Sequence, residues 1–216
     1  MSAAPEMKDR PMASTPVLPV NQKRRILVIR LVFLASLPLI LFVQPSLAIG
    51  TFAHEVVEAA GLLLLLVGVL GRLWSILYVG SVKNRELMRS GPYSMTRNPL
   101  YFFSTIGMTG IGLMLGAVFF ALLLGGLTFV ILYVTATREA AFLRSTFGDA
   151  YTAYERDVPF FWPNPRLYNS TDSVTFSSQA LRNTLFDAMG FLVAIPIVEL
   201  IDALKTSLDF ALFTAF

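Results

Sequence analysis

"NPLYFFSTIGMTGIGLMLGAVFFALLLGGLTFVILYVTAT", residues 98–137, contains no Asp, Glu, Lys or Arg in 40 positions. As one helix it would run about 60 Å, twice the roughly 30 Å hydrocarbon core of a bilayer. The chain therefore has to reverse inside this stretch. Gly116 is the natural place, because glycine turns at no steric cost. Two antiparallel spans follow, 99–115 and 117–137. Gly112 and Gly116 stand four apart, with Gly107, Gly125 and Gly126 nearby. Small residues at such spacing let membrane helices approach closely.

The rest of the 216-residue chain agrees. It is 55% hydrophobic and 14% charged, with mean hydropathy +0.66, where soluble domains carry roughly 25% charged residues. A chain of one-domain length cannot bury that much apolar surface. The reading is an all-α, polytopic integral membrane protein. Upstream, residues 56–80 form an apolar run interrupted by Glu58 and Arg72, and residues 26–47 form another behind Lys23, Arg24 and Arg25. A signal peptide ending near residues 46–48 is the rival for that first run. The run exceeds the ~7–15 residues of a signal-peptide core and begins far inside the chain, which favours a retained span. Residues 1–22, with Pro5, Pro11, Pro16 and Pro19, read as a disordered tail. Residues 23–163 then form the core and 164–216 a C-terminal extension. Residues 181–216 look helical, but the uncharged window 188–198 is short. Pro196 interrupts it and Asp187, Glu199 and Asp202 flank it. An interfacial or re-entrant helix is expected there, with a fifth span as the alternative.

Charge sets the orientation. Lys83, Arg85, Arg89 and Arg97 lie between spans two and three, and Arg138, Arg144 and Arg156 follow span four. The link at 44–55 has no Lys or Arg. The N-terminus, the second link and the region after span four are therefore expected on the cytoplasmic side. A net charge of +3 with clustered basic residues gives no case for nucleic acid. With no cysteine, disulfides, thiolate metal sites and a cysteine nucleophile are excluded. The single histidine, His54, reads as a polar residue in an exposed loop, and no metal is expected.

Two polar, aromatic segments fall on the expected cytoplasmic side: "GPYSMTRNPLY" (91–101) and "REAAFLRSTFGDAYTAYERDVPFFWP" (138–163). In the second, Phe147, Tyr151 and Tyr154 share a helix face. Gly148 followed by Asp149 suggests a break and a fresh N-cap, and "VPFFWP" closes the helix with an aromatic plug. Alone, this segment reads as an amphipathic helix on lipid headgroups. The hairpin changes that reading, because it brings both segments to one membrane edge. Tyr93, Arg97, Asn98 and Tyr101 are then expected to face Glu139, Tyr151 and Tyr154 around a water-shielded pocket.

This pair of motifs, about 40 residues apart, resembles the membrane methyltransferases related to isoprenylcysteine carboxyl methyltransferase and the phospholipid N-methyltransferases, over residues 61–163. The resemblance implies an S-adenosylmethionine site lined by Tyr93, Arg97, Asn98, Pro99 and Tyr101 from the first motif and Glu139, Tyr151 and Tyr154 from the second. Asn98 stands where the family usually has His, Phe103 where it often has Gly, and Phe160 where it often has Arg. Asparagine still donates and accepts hydrogen bonds. Phe103 narrows the space a glycine leaves, and Phe160 removes an ion pair.

Methyl transfer from a sulfonium asks the protein to align the reactants and exclude water. Glu139 suits the cofactor's ammonium, and aromatic faces suit its sulfonium and adenine. No neutral base stands nearby, which tilts the reading toward an oxygen nucleophile or an already neutral amine. Arg72, Arg97 and Glu139 are the catalytic candidates. Arg72 lies about 12 Å inside span two, and an intramembrane charge marks a functional position. It is expected to pair with Glu139 or to anchor a substrate carboxylate, with snorkelling to the interface as the bland alternative. The substrate class is a lipid or prenylated molecule from the bilayer. The rivals are an NADPH-dependent reductase of the sterol reductase type and a non-enzymatic membrane scaffold.

Overall fold

The computed structural model describes residues 51–80, 86–116 and 118–208, with a two-residue parallel pairing of β1 (Val43–Gln44) and β2 (Phe213–Thr214). The expected N-terminal tail, the first span through residue 42, Lys83 and Arg85 lie outside the described residues. Everything else regular is helical.

Helix α1 (Phe52–Val79) begins at Thr51, whose side chain accepts the His54 N–H at 3.4 Å. That cap starts the helix four residues before the first apolar position read from the sequence. His54 consequently sits in the first turn and is only 3% exposed, not in an exposed loop. A one-turn helix, α2 (Pro92–Met95), leads into α3 (Pro99–Met114). Both open on proline, which is preorganised for the first helical position. The hairpin turns at Gly116, with φ +72°, as its sequence predicts. Helix α4 (Val118–Phe147) returns and runs ten residues past the expected end of span four. It stops at Gly148, φ +53°, before α5 (Asp149–Asp157). The predicted break is there, but the N-cap is Gly148 itself with no side-chain cap, and Asp149 contributes its charge to the first turn.

The helices meet through glycine. A Cβ on Gly68 would fall 2.6 Å from Gly107 Cα, and one on Gly61 2.7 Å from the Gly110 carbonyl oxygen. The close-contact spine is thus Gly61 and Gly68 of α1 against Gly107 and Gly110 of α3. The expected Gly112/Gly116 pair does not form a common face. Gly112 lies against Ala121 and Phe120 of α4, Gly116 is the turn, and Gly126 faces open space. Around the spine, Leu65, Ile111, Met114, Leu115, Phe120 and Leu124 form the core.

In the C-terminal region, where the sequence leaves an interfacial helix and a fifth span open, the chain forms a single long helix. Helix α6 (Ser178–Leu208) is one continuous 31-residue helix that contains Pro196. Its stretch Ser178–Ile201 is long and apolar enough to cross a membrane, as are α1 and α4, whereas α3 with 16 residues is shorter. Ala194, Val198 and Ile201 of α6 join the core. Pro196 removes only its own donor, which a packed membrane helix tolerates. Asp187 stands 3.9 Å from Arg72 of α1, so the charge that shortened the apolar window has a countercharge. A Cβ on Gly80 would lie 3.0 Å from Ala180, so α6 starts where α1 ends. The protein is a helical integral membrane protein.

Candidate functional site

The first motif is laced to the chain that follows α5. The Gly91 N–H donates to the Asn169 carbonyl at 2.6 Å, and the Asn164 N–H to the Met95 carbonyl at 2.9 Å. The Arg97 N–H donates to the Pro159 carbonyl at 2.9 Å. Side chains fill the gaps. Thr96 Oγ1 donates to the Phe161 carbonyl at 2.9 Å, and Asn98 Nδ2 to the Phe160 carbonyl at 2.8 Å. Ser94 Oγ donates to the Gly91 carbonyl at 2.7 Å and accepts the Asn169 N–H at 2.9 Å. Gly91 has φ +60°, and a Cβ there would enter the Tyr78 ring. The two distant segments therefore meet at one end of the helices, as the hairpin argument requires.

Aromatic residues seal the join. Phe161 is buried against Phe102 and Phe129, and Tyr101 packs with it on Leu132 and Ala136 of α4. Tyr151 and Tyr154 are buried with Val158, and Phe147 packs beside them, so the predicted aromatic face holds across the Gly148 break.

Two polar groupings result. In the first, Tyr101 Oη donates to Glu139 Oε2 at 2.7 Å, and Tyr154 Oη donates to the Tyr93 carbonyl at 2.7 Å. Burial pushes the Tyr93 hydroxyl well above the usual phenol range, reinforced by Tyr154, Glu139 and Tyr101 nearby. Burial and then Tyr151 raise Tyr154 likewise. Pro99 opens the helix that carries Tyr101. In the second grouping, Arg97 Nη1 donates to Glu155 Oε1 at 2.6 Å, and Arg144 donates to Glu155 Oε2 at 2.6 and 3.0 Å. Burial works to raise the Glu155 carboxyl, but hydrogen bonds from Arg144 and Arg97 outweigh it and hold it below the usual carboxylate range. Arg97 Nε is buried with no hydrogen-bond partner.

The three departures from the family pattern acquire physical meaning. Asn98 ties the two segments. Phe160 lies under the Arg97 guanidinium at 5.1 Å, a ring contact in place of an ion pair. Phe103 occupies the room left by the missing side chain of Gly71 and packs on Trp74 at 6.4 Å.

The expected Arg72–Glu139 pair gives way to other partners. Arg72 donates to Ser104 of α3, faces Asp187, and lies over the Phe191 ring at 5.4 Å. Glu139 is occupied by Tyr101 instead. The reason is rotational: Arg72 points at α3 and α6, and no sequence period reveals which neighbours a span faces.

Of the predicted residues, Tyr93, Tyr101, Glu139, Tyr151 and Tyr154 pack together while Arg97 turns to Glu155 and Arg72 to α3 and α6, and a hollow of about 230 Å³ lies beside them. Tyr133, Thr137 and Arg144 of α4, Glu155 and Phe160 wall it, over Ala140 and Ala141. None of these was among the predicted site residues. Glu139 lies about 140° around α4 from Arg144, so the hollow and the Tyr101–Glu139 contact use different faces of that helix. Tyr133, Thr137, Ala141 and Arg144 recur at helical spacing, a signal present in the sequence. The Glu155 contribution depends on how α5 folds back. Among the described residues no group of three or more His, Cys, Asp or Glu is placed to hold a metal ion.

Comparison with known proteins adds a lineage to this geometry. The phospholipid methyltransferase family model matches residues 56–150, which take in most of α1, the first motif, the hairpin and Glu139. The chain is similar to the cobalt-zinc-cadmium resistance protein CzcN of Cupriavidus metallidurans, 33% identical over 154 residues, or 71% of this chain and 70% of that one. It is also similar to the nickel-cobalt-cadmium resistance protein NccN of Alcaligenes xylosoxydans xylosoxydans, 31% identical over 142 residues, or 66% of each. No solved structure matches. With two motifs brought together across a membrane hairpin and a relative matched over most of its length, the chain belongs to the phospholipid methyltransferase family of membrane methyltransferases.

Proposed function

We propose that the protein transfers a methyl group from S-adenosylmethionine to a lipid-like or prenylated substrate drawn from the bilayer, at the cytosolic face. The Tyr101–Glu139 hydrogen bond at 2.7 Å carries this reading, since it joins the two motifs on opposite arms of the hairpin. The donor set fits the cofactor. The buried, unpartnered Nε of Arg97 suits its carboxylate, and Glu139 suits its ammonium. The rings of Tyr93, Tyr101, Tyr151 and Tyr154 suit a sulfonium, while Asn98 and Pro99 hold the wall in place. When bound, the cofactor supplies an activated methyl with its own leaving group. The chain's residues align that group and exclude water. With no neutral base in the cluster, the nucleophile is an oxygen or an amine that arrives unprotonated. Arg72 acts through α3: it donates to Ser104, which donates to the Leu100 carbonyl at 2.6 Å and braces the turn that carries Tyr101. Arg89, Arg97, Arg138, Arg144 and Arg156 at this end support a cytosolic site.

The relatives' names attach them to metal resistance.

The test is to incubate the purified chain with methyl-labelled cofactor and a total lipid extract. Label is expected in the lipid fraction, and Glu139→Gln is expected to lower turnover about 100-fold, as loss of one preorganised polar contact does. Thermal protection by NADPH and not by S-adenosylmethionine would favour the reductase instead, and binding of neither would favour the scaffold.

A further inference from the structure

The face of α4 that ends in the hollow continues along the helix. Leu122, Gly126 and Val130 precede Tyr133, Thr137, Ala141 and Arg144 at helical spacing, so all seven share one side. Leu122 is 72% exposed and Val130 57%, and nothing lies within 4 Å of where a Gly126 Cβ would be. Among the described residues this side is an uncovered apolar lane of about 16 Å from Leu122 to Tyr133, with a dip at its middle where the side chain is missing. Beyond Tyr133 the lane becomes the polar hollow.

The charge of the Arg97–Glu155–Arg144 trio beside the hollow is unbalanced. Both Glu155 oxygens are taken, one by Arg97 and one by Arg144. Two guanidinium groups share one carboxylate, which leaves a surplus of one positive charge where the apolar lane ends. Arg144 is also the member of the trio open to solvent, with its side chain 57% exposed. A free anion would satisfy the charge but leave the lane bare. An uncharged or zwitterionic amphiphile would cover the lane but leave the charge uncompensated.

We propose that this groove binds one membrane lipid with an anionic headgroup. The headgroup sits against Arg144 at the hollow, and one chain lies along Val130, Gly126 and Leu122. The site uses another face of α4 from the Tyr101–Glu139 cluster; the two share Arg97 through its bond to Glu155, so the surplus charge is that of the chain without cofactor, the state in which it is tested. Arginine at a membrane interface suits a phosphate headgroup through its planar array of donors.

The experiment is native mass spectrometry of the purified full chain in detergent, titrated with phosphatidylglycerol or with phosphatidylcholine of the same chains. Phosphatidylglycerol is expected to bind at least tenfold more tightly. Arg144→Gln should abolish that preference. Ala141→Phe, at an exposed position of α4, should fill the hollow and weaken lipid binding while leaving the thermal midpoint unchanged, so it tests the site even if Arg144→Gln loosens α5. Inorganic phosphate at equal concentration should compete at least tenfold less well than the lipid. Equal binding of the two lipids overturns the proposal. So does a preference that survives both substitutions, and so does inorganic phosphate binding as tightly as the lipid.

Discussion

The α1–α3 seam and the seam between residues 91–98 and 159–169 hold neighbouring parts of one molecule by opposite means. In the first, atoms are missing: Gly61 and Gly68 lie on the backbone of Gly110 and Gly107 with no room for a methyl group. In the second, atoms are added: hydroxyls, an amide and backbone N–H groups each reach a specific carbonyl. A seam made by exclusion has no intermediate state, because an added side chain meets backbone that cannot rotate away. A seam made of hydrogen bonds weakens one contact at a time. The first fits the rigid membrane frame, and the second fits a region that has to admit ligands.

The comparison breaks most decisively at Gly68. Gly68→Leu places its first carbon against Gly107 Cα, and overpacking of this kind costs about 3 kcal/mol or more when backbone has to move. The expected outcome is loss of the folded, monodisperse fraction in detergent. Gly126→Ala is the matching control, since nothing lies within 4 Å of that position. It should leave the stability unchanged or raise it by up to about 1 kcal/mol through helix propensity. If Gly68→Leu were as stable as the native chain, the seam would not be closed as described.

The polar seam should respond by degrees. Thr96→Val removes a buried hydroxyl that donates to the Phe161 carbonyl and is expected to cost about 1–2 kcal/mol. Asn98→Asp replaces a donor by an acceptor against the Phe160 carbonyl, with a cost of about 2 kcal/mol. Both proteins should stay folded, with shallower loss by thermal unfolding than Gly68→Leu, and both should bind S-adenosylmethionine more weakly in an equilibrium assay. Unfolding as complete as that of Gly68→Leu would erase the distinction between the seams.

The two seams also differ in how far sequence reveals them. The turn at Gly116 could be read because 40 uncharged residues exceed one membrane thickness, a constraint of length alone. The meeting of residues 91–101 with 138–163 followed from that turn. Which glycines touch which could not be read, since spacing within one helix does not say which helix it faces. Gly112, Gly116 and Gly126 look equivalent in sequence and have three different fates. Helix α6 stayed open between an interfacial helix and a fifth span for the same reason. Asp187 and Pro196 count against a span when taken alone, but Arg72 lies in another helix 115 positions earlier and meets Asp187 at 3.9 Å. Phe103 reads as an obstruction until Gly71 is seen across from it. In the site, Tyr101 and Glu139 were legible through the motif, whereas the Arg97–Glu155–Arg144 trio depends on α5 folding back at Gly148.

That trio supplies the smallest predicted effect. Hydrogen bonds from Arg144 and Arg97 hold the Glu155 carboxyl below the ordinary range, against a burial effect of opposite sign. A depressed folded-state pKa means that the unfolded chain binds more protons at acidic pH. The stabilisation is therefore fully present above the ordinary glutamate value of about 4.3 and is lost as pH falls through the lower folded value. Thermal midpoints should drop on acidification from pH 5 to pH 3, and Glu155→Gln should start lower at neutral pH and show a flatter acid limb. Arg144 is solvent-exposed, so high salt should weaken its share by screening while leaving the more buried Arg97 contact largely intact. An acid limb as steep in Glu155→Gln as in the native chain would assign the loss to other carboxylates.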